Sequence, residues 1–168
     1  AIVGMRLRQA YNVIVKDCQA YNVHSLIQNA SAHGLKIDNV HVEGLTGINI
    51  LSSGNVEISN SVITATEENG FAVRGDGTNP GSMKISGCTF LADRPVIVRN
   101  LKSTYNLAFE GENTLKGGYE SAGLQTSNNQ GSLEITDTDN DGSLAATGGD
   151  FAAGIGGGDH GAGTNITI

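Results

Sequence analysis

A short strand pattern, apolar–any–apolar, recurs along the chain and is often followed one residue later by Asn, Asp or Gly. It appears as VIVKDC from Val13, LKIDNV from Leu35, VEISNS from Val56, MKISGC from Met83, LAFEGE from Leu107 and LEITDT from Leu133. A partial copy, ITI, begins at Ile166, and the intervals are 22, 21, 27, 24, 26 and 33 residues. Two further strand-like pieces fit each interval. The second set is VHVEG, SVITA, CTFLA, NTLKG and SLAAT; the third is GINIL, GFAVR, PVIVR, AGLQT and AGIGG. Alternation within each piece sends one set of side chains inward and the other outward. Three short strands per interval, stacked along an axis, predict an all-β parallel β-helix of six to seven coils. Asp17, Asn39, Asn60, Gly87, Gly111 and Asp137 fall in one turn column. These residue types tolerate the left-handed backbone that a tight corner needs.

Composition fits this picture. The 168 residues are 38% hydrophobic but only 5% aromatic, with no Trp, so Val, Ile and Leu must fill the core. Glycine is abundant at 24 residues, proline scarce at two, which excludes collagen and Pro-rich linkers. A net charge of −7 without a basic stripe argues against nucleic acid as a partner. No apolar run approaches the ~18 residues of a membrane span. The expected organisation is one domain over residues 1–168, with glycine-rich final coils over 111–168. The chain stops within a strand and shows no terminal cap, which suggests a fragment of a longer protein or an end buried by end-to-end or side-by-side self-association.

NVIVKDCQAYNV, HGLKIDNVHVEGLTGINI and NVEISNSVITA resemble coils of right-handed, pectin-lyase-like β-helix proteins, over roughly Tyr11 to Glu110. From about Gly111, GENTLKGGYESAGLQ, GSLAATGG and AAGIGGGDHGAGTNITI resemble glycine-rich repeats of bacterial surface proteins often labelled carbohydrate-binding. The first resemblance implies the fold; the second implies an extracellular or cell-surface setting and a polysaccharide partner. Pectin-lyase-like enzymes also imply acidic metal ligands and a basic residue on the outer face of one sheet.

On that sheet, the third strand set aligns Asn49, Ala72 and Ile97 in one outward column and Leu51, Arg74, Arg99 and Gln125 in the next. No carboxylate cluster appears, which disfavours lyase chemistry. Arg74 and Arg99, stacked on adjacent coils, would grip a uronic or sialic carboxylate. Asn49 and Gln125 would then bond sugar hydroxyls. The plainer reading splays both guanidinium groups into water or pairs them with Asp76 and Asp93.

DTDNDG, from Asp137 to Gly142, looks like the first half of a calcium loop. An EF-hand needs Glu at position twelve, which here is Gly148, and its flanks are strands, so that reading fails. A looser oxygen site of Asp137, Asp139 and Asp141 would take calcium, because three close carboxylates repel one another without a cation. The alternative is a solvated acidic turn. Cys18 and Cys88 share a column on the first and fourth coils, roughly 14 Å apart, beyond disulfide reach. They are expected as free core thiols. Lys36, Glu57 and Lys84 suggest a surface ion-pair ladder. His24, His33, His41 and His160 share no metal-ligand spacing, and the Arg74-Gly75-Asp76 tripeptide is expected to reflect chance and a glycine-rich turn. The sequence therefore favours a non-catalytic glycan-binding or adhesion module. Its rivals are a fragment of a polysaccharide lyase or hydrolase and a structural stalk or spike.

Overall fold

A computed structural model describes residues 2–30, 32–50, 55–76, 81–127, 130–158 and 161–168. Leu51 and His160, both singled out above, lie outside them. Among the described residues there are strands and turns but no helix, and none is long and apolar enough to cross a membrane. Every strand pairs in parallel with its counterpart one coil away, giving a β-solenoid of about five turns. This is fewer than the six to seven coils expected, because the final pass contributes only the two-residue strands Ile155–Gly156 and Ile166–Thr167.

The wall consists of two sheets where three strand sets were anticipated. One stacks Val3–Arg6, Ser25–Ala30, Ile48–Ile50, Phe71–Asp76, Arg94–Arg99, Leu124–Ser127 and Ile155–Gly156. The first and second strand sets of the sequence merge into the other, bent sheet. In its early coils they form single long strands, Ala10–Val23 and Ala32–Gly44. Later coils break at the same bend, as in Val56–Ser59 followed by Val62–Ala65.

The bend is the predicted turn column. Asp17, Asn39, Asn60, Gly87 and Gly111 all have φ between 49° and 61°, the left-handed region that Asx and glycine adopt most readily. Side chains tie these corners together. Asn39 Nδ2 donates to Asp17 Oδ1 at 2.8 Å, and Asn60 Nδ2 to Asp38 Oδ1 at 2.9 Å. Asp38 also accepts from Ser59 Oγ at 2.7 Å, and these bonds hold its carboxyl below the usual carboxylate range.

Asp137 departs from the column. Ser132–Thr136 pairs Leu133 with Tyr105 and Ile135 with Leu107, a register shifted by two from the one expected. Asp137 thus follows in the column of Phe109, and the left-handed residue of this coil is Asn140, with φ 62°. The inward residue Tyr105 is buried and adds one core position before Leu107. A two-residue slip preserves inward–outward alternation, so the sequence pattern alone does not penalise it.

Inside, one residue per coil stacks on its counterpart. Val42, Ile63, Phe90 and Leu115 form one such file, and all four are fully or almost fully buried. Cys18 and Cys88 are free. The Cys88 thiol donates to the carbonyls of Ser86 and Ile58, and burial pushes its pKa up.

Candidate functional site

The arginine face differs from its expected geometry. Asn49 pairs with Arg74, Arg74 with Ile97, and Ile97 with Gln125, so these four form a single column. Arg99 pairs instead with Asp76 and Ser127. The two arginines are therefore offset along their strands rather than stacked. Unequal loop lengths between coils had shifted the alignment, and Ala72, expected beside Asn49 and Ile97, is wholly buried two positions out of that column.

Each guanidinium already has neighbours. Arg74 Nε donates to Asn49 Oδ1 at 2.9 Å, and its guanidinium carbon lies 4.4 Å from the centre of the Phe71 ring. Burial, then Arg99, pull its pKa down from the usual arginine value. Arg99 Nε lies 3.8 Å from Asp76 Oδ2. Arg74-Gly75-Asp76 ends the strand Phe71–Asp76 and is not a turn.

The acidic loop gathers a different trio from the one read in the sequence. Carboxylate oxygens of Glu110, Asp137 and Asp139 lie within 4.8 Å of one another. Asp141 instead accepts the Gly111 N–H at 3.0 Å. Asp137 clasps its own loop, accepting the N–H groups of Asn140 at 3.1 Å and Gly142 at 3.0 Å. Glu110 is buried and is met by Lys84 Nζ at 3.0 Å and by the Thr138 hydroxyl. The only sequence signal for it was a carboxylate directly before a turn glycine, where Ser59 and Ser86 stand in neighbouring coils. Lys84 thus turns to Glu110, while Lys36 pairs with Glu57 at 2.9 Å. The expected ladder is split.

Proton affinities diverge within this cluster. The Thr138 hydroxyl, then Asp139 and Lys84, hold Glu110 down to about 2, whereas hydrogen bonds to Glu110 and Asp141 raise Asp139 to about 6. A depressed carboxyl supplies stability above the unfolded value near 4, which is lost as pH falls towards 2. The raised carboxyl behaves oppositely: its contribution is complete below about 4 and is lost as pH rises through 6. Asp139→Asn, which cannot ionise, should therefore gain melting temperature relative to wild type between pH 4 and pH 7 in EDTA. A difference that stays constant across that range would sink this assignment.

A further concavity lies at the other corner, where the bent sheet hands over to the second one. It is an open groove of about 800 Å³ crossing four coils, the last of which adds Gly158, Gly161 and Ala162. Glu67, Glu68 and Asn69 line it from one coil, Asp93 and Arg94 from the next, and Tyr119, Glu120 and Gln125 from the third. Gln125 is the one predicted ligand residue that reaches it. Most of its other wall residues were missed because they sit in loops of unequal length with no shared motif.

Asn69 braces the groove. Its N–H donates to Asp93 Oδ2 at 2.6 Å, and its Oδ1 accepts from Arg94 Nη2 at 2.7 Å. Arg94 Nε and Gln125 Oε1 are buried polar atoms with no hydrogen-bond partner, an arrangement that native interiors seldom keep. No family model matches the chain, and neither a curated protein nor a solved structure matches it.

Proposed function

We propose that this chain is a non-catalytic glycan-binding or adhesion module of a bacterial extracellular or cell-surface protein, of the pectin-lyase-like kind with glycine-rich carbohydrate-binding repeats. The observation carrying this reading is the groove across successive coils, whose walls are pinned by backbone bonds between successive corners. Arg94 N–H donates to the Gly70 carbonyl at 2.9 Å, and Gly118 N–H to the Asp93 carbonyl at 3.0 Å. A wall held in place beforehand loses little entropy on binding. Its polar groups suit sugar hydroxyls. Asn49 and Arg74 lie in the column of Gln125, separated from it by the buried Ile97. Arg99, already beside Asp76, contributes less to an anion contact.

The lyase or hydrolase alternative draws on the separated proton affinities of Glu110 and Asp139, since paired carboxyls of that kind suit acid–base work. Against it, the Glu110 side chain is only 5% exposed and already engaged by Lys84. Calcium fits the same cluster as a structural ion, because Glu110, Asp137 and Asp139 supply hard oxygen donors.

One experiment separates these readings. Affinity electrophoresis against neutral, acidic and amino polysaccharides, with calcium or EDTA, is paired with an assay for newly released chain ends. Retardation without new ends is the expected result, and EDTA should lower the melting temperature if calcium occupies the acidic loop. New ends would establish an enzyme. Neither retardation nor products would leave a stalk or spike segment, including one that self-associates, as the better account.

A further inference from the structure

The loops forming the groove corner repeat one turn that the sequence hides. Gly70 N–H bonds back to the Glu67 carbonyl at 2.7 Å, Ser121 to Gly118 at 3.3 Å and Ala152 to Gly149 at 3.2 Å. The third residue of each turn is left-handed: Asn69 at φ 60°, Glu120 at 59° and Phe151 at 62°. Asparagine is at ease there, but a bulky aromatic at positive φ is an outlier. Phe151 is also 79% exposed, so packing gives nothing back for its backbone strain. Tyr119, the second residue of the preceding turn, is 62% exposed.

The two turns are closely apposed. A side chain at Gly149 would come within 3.0 Å of the Tyr119 Cα and would collide with the Gly118 carbonyl oxygen, at 1.8 Å. Gly149 N–H bonds to the Ser121 carbonyl at 3.0 Å. Two exposed rings thus stand on adjacent corners, and strain of this kind concentrates where function demands it.

The same corners carry acids. Glu67 and Glu68, Asp93, Glu120 and Asp150 follow one another coil by coil. Among the described residues no salt bridge neutralises any of them, and Arg94 is the one cation that lines the groove. The coil rise is about 4.8 Å, close to the length of one pyranose unit in an extended β-linked chain. An acid on each coil therefore matches a polymer bearing one positive charge per ring.

Building on the glycan-binding reading, we infer that the corner carrying Tyr119, Phe151 and this run of carboxylates is a track for a β-linked polysaccharide whose rings bear free amines. The rings of Tyr119 and Phe151 stack on the apolar sugar faces and attract the ammonium groups. Glu67, Asp93, Glu120 and Asp150 pair with those ammonium groups coil by coil, and the same carboxylates repel uronates. This replaces the anionic sugar suggested by the arginines with a cationic one.

Calorimetric titration with a glucosamine hexasaccharide, its N-acetylated counterpart and an oligogalacturonate tests the inference on the full chain. The free amine form should bind about tenfold or more tightly than the acetylated form, lose affinity with added salt, and leave the galacturonate unbound. Phe151→Asn places in this turn the residue that Asn69 supplies in its counterpart, so the melting temperature should hold or rise. Affinity should fall about tenfold, as for Tyr119→Ala. Equal binding of the amine and acetylated forms would overturn the charge preference and leave the glycan reading standing. Amine binding that ignores both substitutions would overturn the track. Binding of no saccharide at all would remove the glycan reading with it.

Discussion

Phe90→Ala is expected to lower the free energy of unfolding by about 3–5 kcal/mol, the range for deleting a fully enclosed aromatic ring. Phe90 is wholly buried and heads the largest of the fully enclosed side chains. It lies in the short strand Thr89–Leu91, between Ile63 of the coil before and Leu115 of the coil after. In a solenoid each layer contacts only its neighbours, so stability is close to a sum of coils and the interfaces between them. Removing this ring weakens two interfaces at once, and backbone pairing on both sides limits how far the wall can collapse into the gap. A urea titration gives the answer. A loss under about 1 kcal/mol would mean that the coils close over the space, and that the file from Val42 to Leu115 is less tightly packed than its burial indicates.

Asn113→Ala should cost about 2–4 kcal/mol through hydrogen bonds rather than volume. Asn113 is 2% exposed and ties the left-handed corner of its own coil to the coil before. Its Oδ1 accepts the Cys88 N–H at 3.0 Å, while Nδ2 donates to the carbonyls of Glu110 at 2.8 Å and Gly111 at 3.1 Å. Alanine orphans the Cys88 N–H, while the Glu110 and Gly111 carbonyls keep the N–H groups of Gly87 at 3.1 Å and Ser143 at 2.7 Å, and an unsatisfied buried donor carries its full desolvation penalty. The companion change Asn113→Asp separates the two halves of the tie. It keeps an acceptor for Cys88 but sets a buried carboxylate oxygen against the Glu110 and Gly111 carbonyls, so a loss at least as large as that of alanine is expected in the same titration. If Asp costs less than Ala, the bond to Cys88 outweighs the buried charge. If Asn113→Ala costs less than about 0.5 kcal/mol, water replaces the side chain and the tie is dispensable.

Asn113 also shows the reach of sequence reading. Backbone pairing puts it in line with Cys88, Ser61, Val40 and Cys18, and alternation alone singles out no polar residue there. The value of an inward amide depends on three backbone groups brought to it by the fold, and no residue pattern records their positions. Glu110 is the same case: LAFEGE announces a strand and a corner, but Lys84 and Thr138 reach it from 26 and 28 residues away.

The sequence by itself determined the solenoid. Period-two alternation set the inward residues, and Asp17, Asn39, Asn60, Gly87 and Gly111 marked corners by their tolerance of positive φ. Both signals are local, and repetition makes them stronger. Only the tertiary structure decided the register of Leu133 against Tyr105, the offset of Arg74 from Arg99, and the meeting of Glu110 with Asp137 and Asp139. It also brought the turns at Glu67, Gly118 and Gly149 onto one edge. The physical reason is common to all of these. A slip of two residues leaves alternation unchanged, and loops of unequal length hide which positions stack, whereas backbone pairing between coils permits a single alignment.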